Sequence, residues 1–213
     1  MQWEDPACLP VAQLLQPSLW RNQDQLVGPI PLQHGEDFRL IRVSTGGGAC
    51  KEELCPATAE GVSTAAWMAG AWDQGYSIVV NSLQLRHGAC AAAAKQLARR
   101  IATTTTEAGS LTHQAGGMVH VGVNLYATPG GGSQGLAPHY DDHSVFVMQL
   151  EGVKRWFVWP DMYGAKLPRL RDERRAPQLP DWEGDEYVLR PGDWLYIPRG
   201  CPFVFLIKMK IFQ

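Results

Sequence analysis

Polar and apolar residues alternate along several short segments in the second half of the chain, as they do in strands with one buried face. These segments are 76–85, 118–127, 143–150, 153–159 and 186–200, the last interrupted by a Pro-Gly-Asp turn. Glu151 and Gly152 predict a tight turn, and therefore a hairpin, between the third segment and the fourth. Alanine-rich residues 89–102 predict a helix, which the following TTTTEAGS segment is expected to end.

Residues 1–74 lack this alternation and predict a loop-rich N-terminal flank with short helices. Six prolines and the TGGGACK segment at 45–51 interrupt any regular pattern there. Residues 75–213 then carry the strand signals. Short strands at this spacing after a helical flank predict a mainly β protein with a jelly-roll or cupin-type barrel.

Composition narrows the class of protein further. The chain has 213 residues, of which 45% are hydrophobic, and a net charge of −2, so it can bury a core and shows no bias toward nucleic acid. No run approaches the length of a membrane helix, and the first residues do not resemble a signal peptide. Five cysteines, an odd number, predict free thiols in a chain that is not secreted.

The segment His139-Tyr140-Asp141-Asp142-His143 concentrates ionisable groups at the start of a predicted strand. Side chains two apart on a strand share a face, with Cα atoms about 6.6 Å apart, so His139 and Asp141 could converge on one metal ion. A polar strand end with solvated charges is the alternative. His143 would lie about 13 Å from His139, which favours a core histidine or one that supports the ligands.

Lys154 alternates with Trp156 and Val158 on one face of a predicted strand. If that face is buried, the ammonium needs an anionic partner. The alternative is a lysine at a hairpin edge whose charge reaches solvent.

Five ordered segments resemble one family. They are SLQLRH, VNLYATP, SQGLAPHYDDH, QLEGVKRW and GDWLYIPRG, spread over residues 82–200. Together they are similar to the JmjC domain of the ribosomal oxygenases, the bifunctional lysine-specific demethylases and histidyl-hydroxylases. The resemblance implies a double-stranded β-helix that uses Fe(II) and 2-oxoglutarate on a protein substrate, either a ribosomal-protein histidine or a methylated histone lysine. It also implies a location in the nucleus or nucleolus.

The same resemblance assigns individual roles. His139 and Asp141 would supply two of the three iron ligands, and Lys154 would bind the distal carboxylate of 2-oxoglutarate. Asn124 and Tyr126 look like the family's pocket-lining pair, expected to point inward.

The resemblance ends at the tail of the sequence. The third iron ligand of the family is a histidine, and Phe203 stands at the matching position. The family's C-terminal dimerisation and winged-helix regions have no counterpart in the sequence. We therefore expect a truncated barrel, open at its C-terminal edge, with residues 203–207 forming an imperfect or unpaired strand. The functional alternative is a catalytically impaired remnant or a non-catalytic cupin-like binding module.

Overall fold

A computed structural model describes residues 33–46, 49–57, 60–107, 119–130, 136–160 and 184–207. Its helices are α1 Thr64–Asp73 and α2 Gly88–Glu107, and a 3-10 turn covers Leu83–Leu85. Its strands are β1 Phe38–Gly46, β2 Ala49–Leu54, β3 Ser77–Val80, β4 Leu125–Ala127, β5 Val145–Met148, β6 Lys154–Val158, β7 Asp185–Leu189, β8 Trp194–Ile197 and β9 Phe203–Ile207. The chain is therefore mixed and rich in strands.

Four strands form an antiparallel sheet in the order β2-β1-β3-β4. The prediction of a loop-rich flank is wrong for residues 38–54, which form β1 and β2, and β1 pairs with β3 across the expected domain boundary. Alternation is weak in β1 because both of its faces are buried. Phe38 and Leu40 pack into one hydrophobic cluster, and Ile41 packs into another.

The two clusters lie on opposite faces of this sheet. The first contains Leu125 and Ala127 of β4 together with Met68 of α1. The second contains Ile41 and Val79 from the four-stranded sheet, together with side chains from β6, β8 and β9. The candidate site lies against the second cluster.

The strands before and after Gly152 enter different sheets, so the predicted hairpin is wrong. Strand β5 pairs with β8, whereas β6 lies between β7 and β9. The backbone of Gln149 instead bonds to the turn between β7 and β8, accepting from Gly192 and donating to the carbonyl of Asp193. Consecutive strands of a jelly roll commonly alternate between sheets in this way.

Strand β8 pairs with β5, whereas the prediction for the last strand is wrong. All five residues of β9 pair with β6, and Phe203, Val204 and Phe205 are buried. The β-branched and aromatic residues of β9 are of the types that favour strands, and they suffice for this pairing. The described strands nevertheless form separate sheets of four, two and three strands, so the jelly roll is not closed within the described residues.

Three predicted elements have different bounds in the structure. Helix α2 continues to Glu107, because β-branched threonines lower helix propensity without ending a helix. Strand β3 ends at Val80, shortly before Ser82 takes a left-handed conformation with φ 52°. Strand β4 begins only at Leu125. No helix in the described ranges is long and apolar enough to cross a bilayer.

Candidate functional site

Two hydrogen bonds between backbone and side-chain atoms fix the loop that carries His139 and orient its imidazole. The amide of Ala137 donates to Glu52 Oε1 at 3.0 Å, which fixes the loop to β2. His139 Nδ1 lies 2.8 Å from the Ala137 carbonyl oxygen. A carbonyl can only accept, so Nδ1 carries the hydrogen and the lone pair of the neutral ring is on Nε2, the nitrogen that could bind a metal.

His139 and Phe203 form an isolated antiparallel bridge. The His139 amide donates to the Phe203 carbonyl at 3.1 Å, and the Phe203 amide donates to the His139 carbonyl at 2.8 Å. Directly opposed residues project their side chains to the same side of a sheet. The ring centroids are 4.5 Å apart with a tilt of 56°. Residue 203 therefore contacts the first predicted metal ligand.

The other ionisable residues of the loop behave differently from the prediction. Residues 140–144 are not in a strand, and β5 begins only at Val145, so the strand geometry used to pair His139 with Asp141 is not present. The Asp141 carbonyl accepts from the Gly200 amide at 2.8 Å, which holds the loop near the turn before β9. His143 is not a core histidine. Its exposed imidazole contacts the Asp142 carboxylate at 2.9 Å.

A three-ligand metal site is not complete in the described part of the chain. No group of three or more His, Cys, Asp or Glu side chains there is arranged to hold a metal ion. Phe203 offers no lone pair. Cys201 is buried, and burial raises the pKa of its thiol, which disfavours the thiolate needed for coordination. The described residues therefore do not fit the family's iron site.

Lys154 is buried on β6, with 8% of its surface exposed. Its Nζ donates to the Tyr126 carbonyl at 3.0 Å and lies 4.7 Å from the centroid of the Phe205 ring. None of the described acidic side chains forms an ion pair with it. Burial lowers its pKa from 10.5 to about 8. An ammonium has three donors, so this one is only partly satisfied by the protein groups described.

An aromatic row connects the Lys154 end of this face to His139. Phe203 lies 5.9 Å from Trp156, and Trp156 lies 4.8 Å from Phe205, both measured between ring centroids. The register places Phe205 opposite Trp156, so Lys154 and Trp156 of β6 share one face with Phe203 and Phe205 of β9. Sequence reasoning missed Trp156 and Phe205 as site residues. Their alternation on β6 and β9 is the signal that marks them.

The Trp156 indole is a second buried donor on this face. Its Nε1 is fully covered and has no hydrogen-bond partner among the described groups. Buried N–H groups without an acceptor are rare in folded proteins, because each one costs about 1–3 kcal/mol. Lys154 and Trp156, two residues apart on one strand face, together leave donors available to an anion.

The two residues predicted to line a pocket, Asn124 and Tyr126, lie in different surroundings. The Tyr126 ring lies 6.4 Å from Phe205, on the face of the sheet that includes the Lys154 environment. The Asn124 side chain is instead engaged near the 3-10 turn, where its Oδ1 accepts from the Ser82 amide at 3.0 Å. Both residues are exposed, and the buried positions of β4 are Leu125 and Ala127.

Replacing Asn124 by alanine should lower the free energy of unfolding by about 1 kcal/mol, because the Ser82 amide would lose its side-chain acceptor. Chemical denaturation would measure this change. An unchanged free energy of unfolding would mean that the bond from the Ser82 amide to Asn124 contributes nothing to stability.

Comparison with known proteins places this chain in a family. A family model described as the JmjC domain matches residues 96–204. Ribosomal oxygenase 2 of Rattus norvegicus is 48% identical over 83 residues, which cover 38% of this chain and 16% of the relative. The bifunctional lysine-specific demethylase and histidyl-hydroxylase NO66 of Drosophila sechellia is 34% identical over 203 residues, which cover 93% of this chain and 28% of the relative.

Among solved structures, YcfD, a ribosomal oxygenase from Escherichia coli in complex with cobalt and 2-oxoglutarate, aligns with a TM-score of 0.40 and 20% identity. The alignment covers 87% of this chain and 43% of that chain. The chain spans less than a third of the length of the two curated relatives. Because the family model covers just over half of the sequence, the chain belongs to the JmjC-domain family, a family of 2-oxoglutarate-dependent oxygenases.

Proposed function

We propose that this chain binds 2-oxoglutarate and that the Lys154 ammonium is the partner of its distal carboxylate. One observation carries this proposal: Lys154 is buried, and none of the described acidic side chains pairs with it. A buried charge with incomplete partners is costly, and a carboxylate from a ligand would remove most of that cost. Membership of the JmjC-domain family, a family of 2-oxoglutarate-dependent oxygenases, supports such a ligand.

The residues around Lys154 fit a dicarboxylate. Within the described part of the chain the ammonium bonds only to the Tyr126 carbonyl, which leaves two of its hydrogens for a ligand, and the Trp156 N–H, two residues along the same strand face, is a further donor. The Phe205 ring lies under the ammonium and excludes water from it. A carboxylate held in such a dry environment interacts more strongly than one in solvent.

The reaction class that goes with this pocket is oxygenation of a protein side chain. By analogy with the relatives, the substrate would be a ribosomal-protein histidine or a methylated histone lysine, with the protein in the nucleus or nucleolus. In the family's arrangement His139 and Asp141 would be two of the three ligands of an Fe(II) centre that supplies oxygen activation, but the described residues do not complete that centre. The chain would carry out this reaction only with a third ligand from outside the described residues.

The second candidate function is cosubstrate binding without turnover, and the position of Phe203 favours it. Its ring packs directly on the His139 imidazole, where the family has a third ligand. Two protein ligands hold Fe(II) less well than the three of a facial triad. We therefore expect this chain to bind 2-oxoglutarate and to leave it unconverted.

Calorimetric titration with 2-oxoglutarate, followed by an assay for succinate with Fe(II) and ascorbate present, tests both candidates. Binding without succinate formation is the expected result. Succinate formation at a rate above that of the buffer control would restore the oxygenase assignment. A folded chain that does not bind 2-oxoglutarate under any of these conditions would contradict the proposed function itself.

A further inference from the structure

The metal position and the anion-binding position lie at opposite ends of one sheet face. Val158 pairs with Phe203, which is itself bridged to His139, whereas Lys154 pairs with Ile207 four residues further along β9. Four residues of strand correspond to about 13 Å between Cα atoms. Between the two ends lies the aromatic row of Phe203, Trp156 and Phe205.

At the His139 end of this face, the side chain that β9 places beside the imidazole is apolar. Two backbone hydrogen bonds to His139 fix the backbone of Phe203, and its side chain, 4% exposed, is packed in the second hydrophobic cluster beside the imidazole. It places carbon next to the imidazole at the position where a coordinating atom would be needed. A divalent ion there would lose its water without gaining a ligand from residue 203.

The hydrogen-bond donors at the Lys154 end do not depend on the missing metal ligand at residue 203. The Lys154 ammonium and the Trp156 indole N–H are both buried; among the described groups the ammonium has one hydrogen-bond acceptor and the indole N–H has none. Neither is on the loop that carries His139 and Asp141. The free energy of dicarboxylate binding therefore comes from groups that a metal ion would not contact.

We infer that this chain binds 2-oxoglutarate without a divalent metal and that Phe203 is the residue that separates ligand binding from metal binding. The inference rests on the proposed function. In thermodynamic terms, the binding of 2-oxoglutarate and the binding of a divalent metal ion are no longer coupled. A metal ion therefore changes the affinity for 2-oxoglutarate by a factor close to one. Replacing Phe203 with a coordinating side chain should restore the coupling.

Calorimetric titration of the chain with 2-oxoglutarate, once in EDTA and once in saturating Mn(II), tests the inference. The two dissociation constants should agree within about twofold, whereas coupled sites typically differ by about 5- to 150-fold. In Phe203→His, Mn(II) should tighten 2-oxoglutarate binding by at least about fivefold. Phe203→Leu is the matched control, because it removes the ring without adding a ligand, and its binding should remain insensitive to Mn(II).

The possible results of these titrations show whether the inference or the proposed function has failed. If the unaltered chain binds 2-oxoglutarate only in Mn(II), the inference is overturned and the proposed function stands. If Phe203→His is folded but insensitive to Mn(II), residue 203 is not at the metal position and the inference is again overturned. If the folded chain binds in neither condition, the proposed function fails first. Should Phe203→His not fold, the comparison of EDTA with Mn(II) on the unaltered chain still decides.

Discussion

Replacing Lys154 by methionine should weaken 2-oxoglutarate binding by at least about 30-fold, because truncating one partner of a buried, hydrogen-bonded charge pair costs about 2–5 kcal/mol. Methionine keeps most of the side-chain length and packs on Phe205, so the fold should survive. Calorimetric titration measures the affinity, and circular dichroism establishes that the variant is folded.

Lys95→Met is the matched control. Lys95 is an exposed lysine on α2, away from the sheet face that holds Lys154, and its replacement removes the same charge from the same chain. Its 2-oxoglutarate affinity should equal that of the unaltered protein. If Lys154→Met binds as tightly as Lys95→Met, the distal carboxylate has another partner and the assignment of Lys154 is wrong.

The parts of the site that depend on local sequence could be predicted. The alternation of Lys154 with Trp156 places both on one strand face whatever that strand pairs with, and the structure has them there. Phe203 lies opposite His139 through the bridge between these residues, which agrees with the resemblance that puts residue 203 at a ligand position. The placement of Lys154 and Trp156 needed only short-range periodicity, whereas the placement of Phe203 came from the resemblance and the turn before it.

The parts that depend on distant pairing could not be predicted. Gly152 looks like a hairpin turn, but the chain around Gln149 pairs with the turn between β7 and β8 instead. Strand β1 was missed because both of its faces are buried, against different clusters, which removes the alternation that marks a half-buried strand. Periodicity reports how many faces are buried, and it does not identify the partner strand.

The pH dependence of stability should report the burial of Lys154 without any ligand. Burial lowers the folded-state pKa of Lys154 to about 8, whereas the unfolded value is 10.5. Between these pH values the unfolded lysine holds a proton that the folded lysine has lost, so stability rises with pH across this window. The gain should be about 3 kcal/mol, at about 1.4 kcal/mol per pKa unit.

The measurement is the difference in free energy of unfolding between the unaltered chain and Lys154→Met, taken by chemical denaturation from pH 7 to pH 10.5. Taking the difference removes the contributions of other groups, such as Cys90, whose pKa burial raises to about 11. Below pH 8 the methionine variant should be more stable than the unaltered chain, and the gap should close as the pH approaches 10.5. Saturating 2-oxoglutarate should favour the charged lysine and reduce the slope. A difference that stays constant across the window would mean that the Lys154 ammonium is solvated, and both the buried charge and the anion site built on it would then be wrong.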